Sequence, residues 1–252
     1  MRITRLYHAE ELRCGENIQL DTETSNHLIR VLRTAAGSRI ILFNGDGFDY
    51  SCTTLDENPR KTLVSVESKL EVKNESNLNI TLIQGLSRKD RMETTIQKSI
   101  ELGVNTIIPV LCQRSNTKLN KQKQDKKLDH WRKIAISACE QSGRSIIPEI
   151  TQIFSMSDFD KIITSSLKQG ALKINLNPDS KTSLKDIKLN DSDETNNTVE
   201  IFIGPEGGLN SEEIQRLETS QFKNIGFGPR ILRTETAGPS VISALQILWG
   251  DF

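Results

Sequence analysis

The apolar residues of this 252-residue chain change their spacing once, and that change limits the folds open to it. Up to about residue 73 they alternate with polar residues in short runs, the period of half-buried strands. Beyond the polar stretch Asn74-Glu75-Ser76-Asn77-Leu78-Asn79, short unbroken apolar runs take turns with stretches that repeat every three to four residues. Strand and helix in alternation favour a parallel sheet covered by helices. The expected architecture is α/β: a small β-barrel unit at 1–73, then an α/β domain with a parallel sheet at 74–252.

In the first unit, Arg39–Phe43 and Phe48–Thr54 flank Asn44-Gly45-Asp46-Gly47, which reads as a hairpin with Phe48, Tyr50 and Cys52 on its buried face. A further strand is expected at 61–66. A short helix is expected at 26–33, with Leu28, Val31 and Leu32 on one side and Arg30 and Arg33 facing outward. A small barrel serves equally as an RNA-binding accessory or as a plain structural unit.

In the second unit, strands are expected at 80–84, 104–111, 172–176, 199–203 and 224–227. Met92, Ile96 and Ile100 mark a helix over 89–102 that Gly103 stops. Leu128, Trp131, Ile134, Ala135, Ala138 and Cys139 mark another, stopped by Gly143. A closing helix is expected at 239–249 with Pro239 in its first turn. The polar stretch 178–197 reads as a surface excursion.

Thirty-three Lys and Arg balance thirty-three Asp and Glu, so a polyanion would have to be met by a local patch rather than by the whole surface. One such patch is 114–133, where Arg114, Lys118, Lys121, Lys123, Lys126, Lys127, Arg132 and Lys133 face two acids, Asp125 and Asp129, for a local charge of +6. A charge run of this kind is also the normal dress of a solvated face. Cys14, Cys52, Cys112 and Cys139 are too scattered for a zinc knuckle, and His8, His27 and His130 form no ligand pair, so no metal is expected. No stretch approaches the roughly 20 apolar residues of a membrane span, and the start has no signal-like apolar core, so a cytoplasmic protein with reduced thiols is expected.

The chemistry-bearing residues cluster in the last fifty positions. Gly204-Pro205-Glu206-Gly207-Gly208 follows an apolar strand and precedes a helix start, with Asn210 as N-cap and Glu213 as its capping-box partner. A glycine-rich turn between the carboxyl end of a strand and a helix is where open α/β sheets take ligands. The Lys-Ser/Thr of a phosphate loop is missing, G-x-G-x-x-G is missing, and Glu206 would repel phosphate. A tight turn without a ligand is the plain alternative. The second segment, Gly226-Phe227-Gly228-Pro229-Arg230-Ile231-Leu232-Arg233-Thr234-Glu235-Thr236-Ala237, sets two arginines, a carboxylate and two threonines among apolar residues; burying these unpaired is costly, so they should line something polar.

GPEGGL at 204–209 followed by FGPRILRTETA at 227–237 resembles the signature of the RsmE-type ribosomal RNA uridine-N3 methyltransferases of the SPOUT superfamily. MRITRLYH at 1–8, HLIRVLR at 27–33, LFNGDG at 42–47, RMETTIQKSIELGV at 91–104, ACEQSGR at 138–144 and ALQILWGDF at 244–252 are similar to further segments of that family, in the same order. The resemblance implies a PUA-like barrel at 1–73 and a SPOUT trefoil-knot domain at 74–252 that binds S-adenosylmethionine in three loops and works as a homodimer on the 16S ribosomal RNA of the small subunit. Such knots are exceptions to the rule that connections do not thread loops, so spacing alone could not have pointed to one.

On this resemblance the cofactor would be held by Leu176, Asn177, Gly204, Pro205, Glu206, Gly207, Gly208, Phe227, Gly228, Ile231, Leu232, Thr234 and Thr236. Asn177 stands where related sequences commonly carry His, so a backbone contact is implied there but not a side-chain role. Uridine N3 must be unpaired to be reached and must lose its proton to attack a sulfonium methyl. Arg230 and Arg233 are the candidates to stabilise the developing anion, with Arg5 from the barrel as a helper across the dimer, and Glu235 to orient an arginine or accept the proton. The sulfonium is already an activated leaving group, so no metal is needed. RNA would be held by Arg30 and Arg33 of the barrel and by the patch that begins at Arg114, with Arg88, Lys89 and Arg91 added. Three other readings fit parts of the sequence: a non-catalytic assembly factor that binds ribosomal particles but no cofactor, a nucleotide enzyme that binds ATP or GTP, and a related methyltransferase acting on transfer RNA.

Overall fold

In a computed structural model of the protein, residues 3–115, 120–168, 170–188 and 197–252 are described. They form two compact units. The first comprises the chain up to Glu75 together with Ile136–Ile147; the second comprises Ser76–Ala135 and Pro148–Phe252.

The first unit is a small curled sheet of β1 (Thr4–Tyr7), β2 (Asn17–Gln19), β3 (Arg39–Phe43), β4 (Phe48–Thr54) and β5 (Leu63–Glu71), in the order β1-β3-β4-β5-β2. β1 runs parallel to β3, and the remaining pairs are antiparallel. Leu6, Ile40, Leu42, Tyr50, Cys52, Val64 and Val66 are buried together, as the strand alternation requires. Gly45 and Gly47 take the positive φ (96° and 89°) that the β3–β4 turn needs.

The short helix differs from its expected place. α1 (Thr22–Asn26) starts behind Asp21, whose side chain accepts the Thr24 N–H at 2.9 Å, and it runs into a wide π turn at His27–Val31. Leu28 is buried, but Val31 and Leu32 are 62% and 42% exposed. In the π turn Leu32 N–H bonds five residues back to His27 O, so the side chains that follow leave the face an α-helix would give them. Arg30 and Arg33 are exposed, Arg33 with a left-handed φ of 55°.

The second unit follows the expected alternation: β6 (Asn79–Gly85), α2 (Lys89–Glu101), β7 (Thr106–Leu111), α3 (Lys121–Ser142, of which the residues from Ile136 on count with the first unit), β8 (Glu149–Ile150), β9 (Phe154–Ser155), α4 (Phe159–Ser165), β10 (Leu172–Leu176), β11 (Thr198–Ile203), α5 (Ser211–Thr219), β12 (Lys223–Ile225) and α6 (Thr234–Trp249). The strands pair in parallel in the order β12-β10-β11-β6-β7-β8, with β9 also on β7. Nearly every residue of β6 and every residue of β11 is buried, the mark of a sheet covered on both faces. One cover is an aromatic cluster in which Phe159, Phe202 and Phe222 meet edge to face or tilted, at 5.9–6.4 Å between centroids. On the other, α2 packs against α6. Among the described residues no helix is long and apolar enough to cross a membrane.

Three expectations are corrected here. The closing helix begins at Thr234, five residues before the expected start, so Pro239 lies inside it. Proline there removes only the bond to the carbonyl of Glu235, within the second turn, and the helix tolerates it. The last strand stops at Ile225, so Phe227 belongs to the loop beyond. The stretch 178–197 is not all surface: Leu184 and Ile187 are buried around a single 3-10 turn at Leu184–Asp186 that Ser183 caps. Residues 189–196 lie outside the described residues.

The chain after β12 presses against that same stretch. Gly226 N–H donates to Thr182 O at 2.8 Å, and a Cβ on Gly226 would lie 2.5 Å from Ser180 O. Only glycine permits so close a passage of one backbone past another.

Candidate functional site

The carboxyl ends of β10, β11 and β12 open into one cavity of about 540 Å3. Its wall is built from 175–179, 203–206 with Gly208 and Leu209, and the segment from Ile225 to Thr234, with Arg91 and Arg114 at its side. The position is where open parallel sheets take ligands, and the volume falls in the roughly 300–1,000 Å3 range of small-molecule sites.

The glycine turn is shaped by the helix that follows. Asn210 caps α5: its side chain accepts the Glu213 N–H at 2.7 Å, and Glu213 Oε2 accepts the Asn210 N–H at 3.0 Å, the expected capping box. Glu213 Oε1 accepts a third bond from Gln113 N–H at 2.8 Å. Gly208, at φ 67°, closes the turn with its N–H on Pro205 O at 2.9 Å. Two glycines are there for room. A Cβ on Gly85, at the end of β6, would lie 2.6 Å from Pro205 N, and one on Gly207 would lie 2.9 Å from Arg114 Cβ.

The second loop is fixed by a buried relay. Thr234, first residue of α6, donates its hydroxyl to Gly204 O at 2.9 Å and accepts from Gln84 Nε2 at 3.0 Å. Gln84 is fully buried and also donates to Gly85 O at 3.0 Å. Between Gly228 and Leu232, by contrast, no backbone N–H donates to a described carbonyl. Free N–H groups on a cavity wall are ready to bond a ligand.

Most of the residues singled out in the sequence meet at this cavity. Leu176, Asn177, Gly204, Pro205, Glu206, Gly208, Phe227, Gly228, Arg230, Ile231, Leu232, Arg233 and Thr234 line it; Gly207, Thr236 and Glu235 do not. Asn177 is held by its backbone, its N–H on Ile225 O at 2.9 Å, while its side chain accepts the Asp179 N–H at 3.1 Å. Arg230 and Arg233 are exposed and have no side-chain partner among the described residues.

Glu235 faces neither of these arginines. Its Oε1 lies 3.7 Å from Arg91 Nε, and Arg91 NH1 lies 3.4 Å from Glu206 Oε1. Arg91 is thus half-buried between two carboxylates rather than free for a phosphate. Arg88 gives its backbone N–H to Glu206 Oε1 at 2.9 Å, with its side chain exposed. Arg114 donates to the carbonyls of Gly207 and Leu209, both at 3.3 Å. Lys89 is exposed, 4.0 Å from Glu93. Of the basic patch, Lys121, Lys123, Lys126, Arg132 and Lys133 are exposed on α3; Lys118 lies outside the described residues.

Arg5 is bound up inside the first unit. It donates to Asp49 through Nε (3.1 Å) and NH2 (2.6 Å), to Cys139 O (2.8 Å) and to Ser145 Oγ (2.9 Å), and it stacks on Phe43 at 4.5 Å. Most of its donors are spent on structure within this unit.

Gln84, Gly85 and the pairing role of Arg91 were not singled out in the sequence. A glutamine and a glycine closing a strand whose residues 80, 82 and 83 are apolar was the available signal. Asn175 Nδ2 donates to Asn224 Oδ1 at 2.7 Å, and Asn224 Nδ2 donates in turn to Glu218. No described cysteine lines the cavity, and burial pushes the Cys52 and Cys139 thiols up to about 12, so neither is a nucleophile at neutral pH. Among the described residues no group of three His, Cys, Asp or Glu is placed to hold a metal ion.

Residues 74–246 match the family described as "RNA methyltransferase domain", and residues 20–67 match the "RNA methyltransferase PUA domain". The ribosomal RNA small subunit methyltransferase E of Buchnera aphidicola subsp. Schizaphis graminum is 35% identical over 251 residues, covering 99% of this chain and 98% of that protein. Its counterpart in Bacillus subtilis is 34% identical over 243 residues, covering 91% of each. A methyltransferase structure from Legionella pneumophila with bound S-adenosylmethionine superposes with a TM-score of 0.92 at 36% identity. The small subunit methyltransferase E of Neisseria gonorrhoeae, also bound to S-adenosylmethionine, gives 0.89 at 33%; both cover the whole of each chain. With its PUA-like unit followed by a SPOUT-type parallel sheet, this chain belongs to the family of ribosomal RNA small subunit methyltransferase E.

Proposed function

We propose that this protein transfers the methyl group of S-adenosylmethionine to N3 of a specific uridine in 16S ribosomal RNA, on the assembled small subunit, in the cytoplasm and as a homodimer. The observation that carries the reading is the pair Arg230 and Arg233: two guanidiniums without a partner among the described residues, on the wall of the cavity that the glycine turn and the start of α6 enclose.

The cavity fits the cofactor. Its wall presents open backbone N–H groups, which suit a small ligand that carries acceptor atoms such as a carboxylate and ring nitrogens, and no described lysine lines it. The open backbone of 228–232, with Leu176 and Gly204 opposite, would hold it; when bound, it supplies a methyl group activated by a sulfonium. The chain's own residues must then manage the uracil. N3 sits on the Watson-Crick edge, so the base must be out of its pair. Negative charge spreads to O2 and O4 as the N3 proton leaves, and Arg230 and Arg233, exposed on the cavity wall, would donate to those oxygens. Glu206, with Arg91 beside it, is the nearer carboxylate to the cavity; Glu235, one step removed, acts through Arg91.

A second cavity of about 540 Å3 supports the homodimer. It shares Phe227, Gly228 and Arg230 with the first and is walled by Leu184, Ala244, Ile247 and Leu248. Ile231, next in sequence to Arg230, is a further apolar side chain at 84% exposed, and a second copy laid over this cavity would bring protein against the substrate side of Arg230. The exposed basic residues of α3 supply a surface for the RNA backbone, which positions without specifying.

The test is transfer of labelled methyl from S-adenosylmethionine to small subunits lacking the modification, followed by nucleoside analysis. Label in 3-methyluridine at one site is expected. Label on free transfer RNA but not on small subunits would move the protein to another substrate, and failure to bind S-adenosylmethionine would end the methyltransferase reading.

A further inference from the structure

Two carboxylates from different loops share one guanidinium. Glu206 comes from the glycine turn after β11, and Glu235 from the first turn of α6. Arg91, from the first turn of α2, reaches both: NH1 to Glu206 Oε1 at 3.4 Å and Nε to Glu235 Oε1 at 3.7 Å. All three side chains are partly buried, with 14% of Glu206, 19% of Glu235 and 28% of Arg91 exposed. The second oxygen of each carboxylate, Glu206 Oε2 and Glu235 Oε2, is buried with no hydrogen-bond partner. Among the described residues Arg91 is the one cation paired with either acid, and the Arg88 backbone N–H is the only further donor to Glu206. Without Arg91, two like charges would face each other in a partly desolvated place, and such a pair moves apart or takes up a proton.

Both loops that Arg91 ties together wall the cofactor cavity, as Arg91 itself does. We propose that Arg91 is a positioning residue for the cofactor: it clamps the glycine turn to the start of α6 and so sets the width of the cavity between Gly204–Gly208 and Ile231–Thr234. This rests on the methyltransferase reading above and goes beyond it, because it moves Arg91 from the RNA surface, where its charge alone would put it, to the cofactor side. Arginine suits the place because its planar fork can address two carboxylates from two of its nitrogens at once, and a lysine ammonium is one point of charge.

The full-length protein and the variants Arg91→Ala, Arg91→Lys, Glu206→Gln and the double variant Arg91→Ala with Glu206→Gln are compared for S-adenosylmethionine affinity by calorimetry without RNA, and for small-subunit RNA affinity as a function of salt. Arg91→Ala is expected to weaken the cofactor at least tenfold, with RNA affinity and its salt slope changed less than twofold. Arg91→Lys should recover part of the loss. The double variant should bind the cofactor better than Arg91→Ala alone, because the neutral Gln removes the repulsion that the missing guanidinium exposed; a general loss of folding would instead make the double variant worse. Unchanged cofactor affinity in Arg91→Ala with a reduced salt slope would overturn the proposal and return Arg91 to the RNA surface. Simple additivity of the two losses would overturn it as well. If the unaltered protein binds no S-adenosylmethionine, the methyltransferase reading falls first and the proposal with it.

Discussion

The hydroxyl of Thr234 donates to the carbonyl of Gly204 at 2.9 Å across 30 residues of sequence, and accepts from the amide of Gln84 at 3.0 Å, 150 residues away. One side chain therefore joins the start of the closing helix, the start of the glycine turn and the end of β6. Thr234→Val keeps the shape and removes the hydroxyl, leaving the Gln84 amide short of an acceptor in the interior. Urea unfolding should show a loss of about 1–3 kcal/mol, the usual cost of orphaning a buried polar group, and cofactor affinity should fall with it. Thr234→Ser should restore both; a valine variant as stable as the parent would show that the relay carries no load.

Gly85→Ala tests the contact between strand and turn. The backbone of Gly85 is not in the left-handed region, so alanine is tolerated locally; the obstacle is Pro205 N, 2.6 Å from where the methyl carbon would sit. The turn must move away, and cofactor affinity should drop at least tenfold while the far-ultraviolet circular dichroism stays the same. Equal affinity in the two proteins would mean that the turn shifts without consequence for the cavity.

Arg230→Ala should lower single-turnover methyl transfer by about 100-fold, the range seen when one donor to a developing anion is removed, with little change in cofactor affinity. Arg233→Ala should act in the same direction. Turnover unchanged in either variant removes that arginine from the chemistry.

Arg5→Ala should behave in the opposite way. Its loss leaves Asp49, which is only 19% exposed, without its cation and with Ser145 as its side-chain donor, and should cost about 3–5 kcal/mol of stability, as breaking a buried ion pair does. Pairing it with Asp49→Asn should return part of that stability. Cofactor affinity measured well below the unfolding temperature should stay near that of the parent; a specific loss of turnover in a stable Arg5 variant would instead bring Arg5 into the reaction.

His8 gives stability a pH dependence. Burial holds its imidazole below the ordinary 6.5, against the opposing pull of Glu10 and Asp21. The unfolded chain therefore takes up the proton first, and stability is lost as pH falls from about 6.5 through the folded value, by up to about 1.4 kcal/mol for each unit between them. Urea midpoints at pH 7.5, 6.0 and 5.0 should fall more steeply for the parent than for His8→Asn. Parallel curves would rule the imidazole out as the source.

Much of this protein is written in local spacing. The β3–β4 hairpin, the helix that Gly103 stops, the helix that Gly143 stops and the capping box of Asn210 with Glu213 are all legible because each depends on residues within a few positions of one another. The glycine turn and the arginine-threonine segment were legible as a site for a related reason: glycines and charges among apolar residues are costly unless something makes use of them.

Tertiary structure decided the rest. Where α6 begins is set by Thr234 bonding to Gly204 and Gln84, so Pro239, the strongest local start signal, was outvoted. The π turn at His27–Val31 moved Val31 and Leu32 into solvent. Ile136–Ile147 joined the first unit although helix spacing gave no sign of it, through bonds such as Arg5 to Cys139 O and the Ser145 hydroxyl to Asp49. Charge told the sequence that Arg5 and Arg91 were cations, but not which carboxylates they would meet. Coulomb attraction acts over a few ångströms, and which groups come within that distance is fixed only when segments separated by dozens of residues pack together.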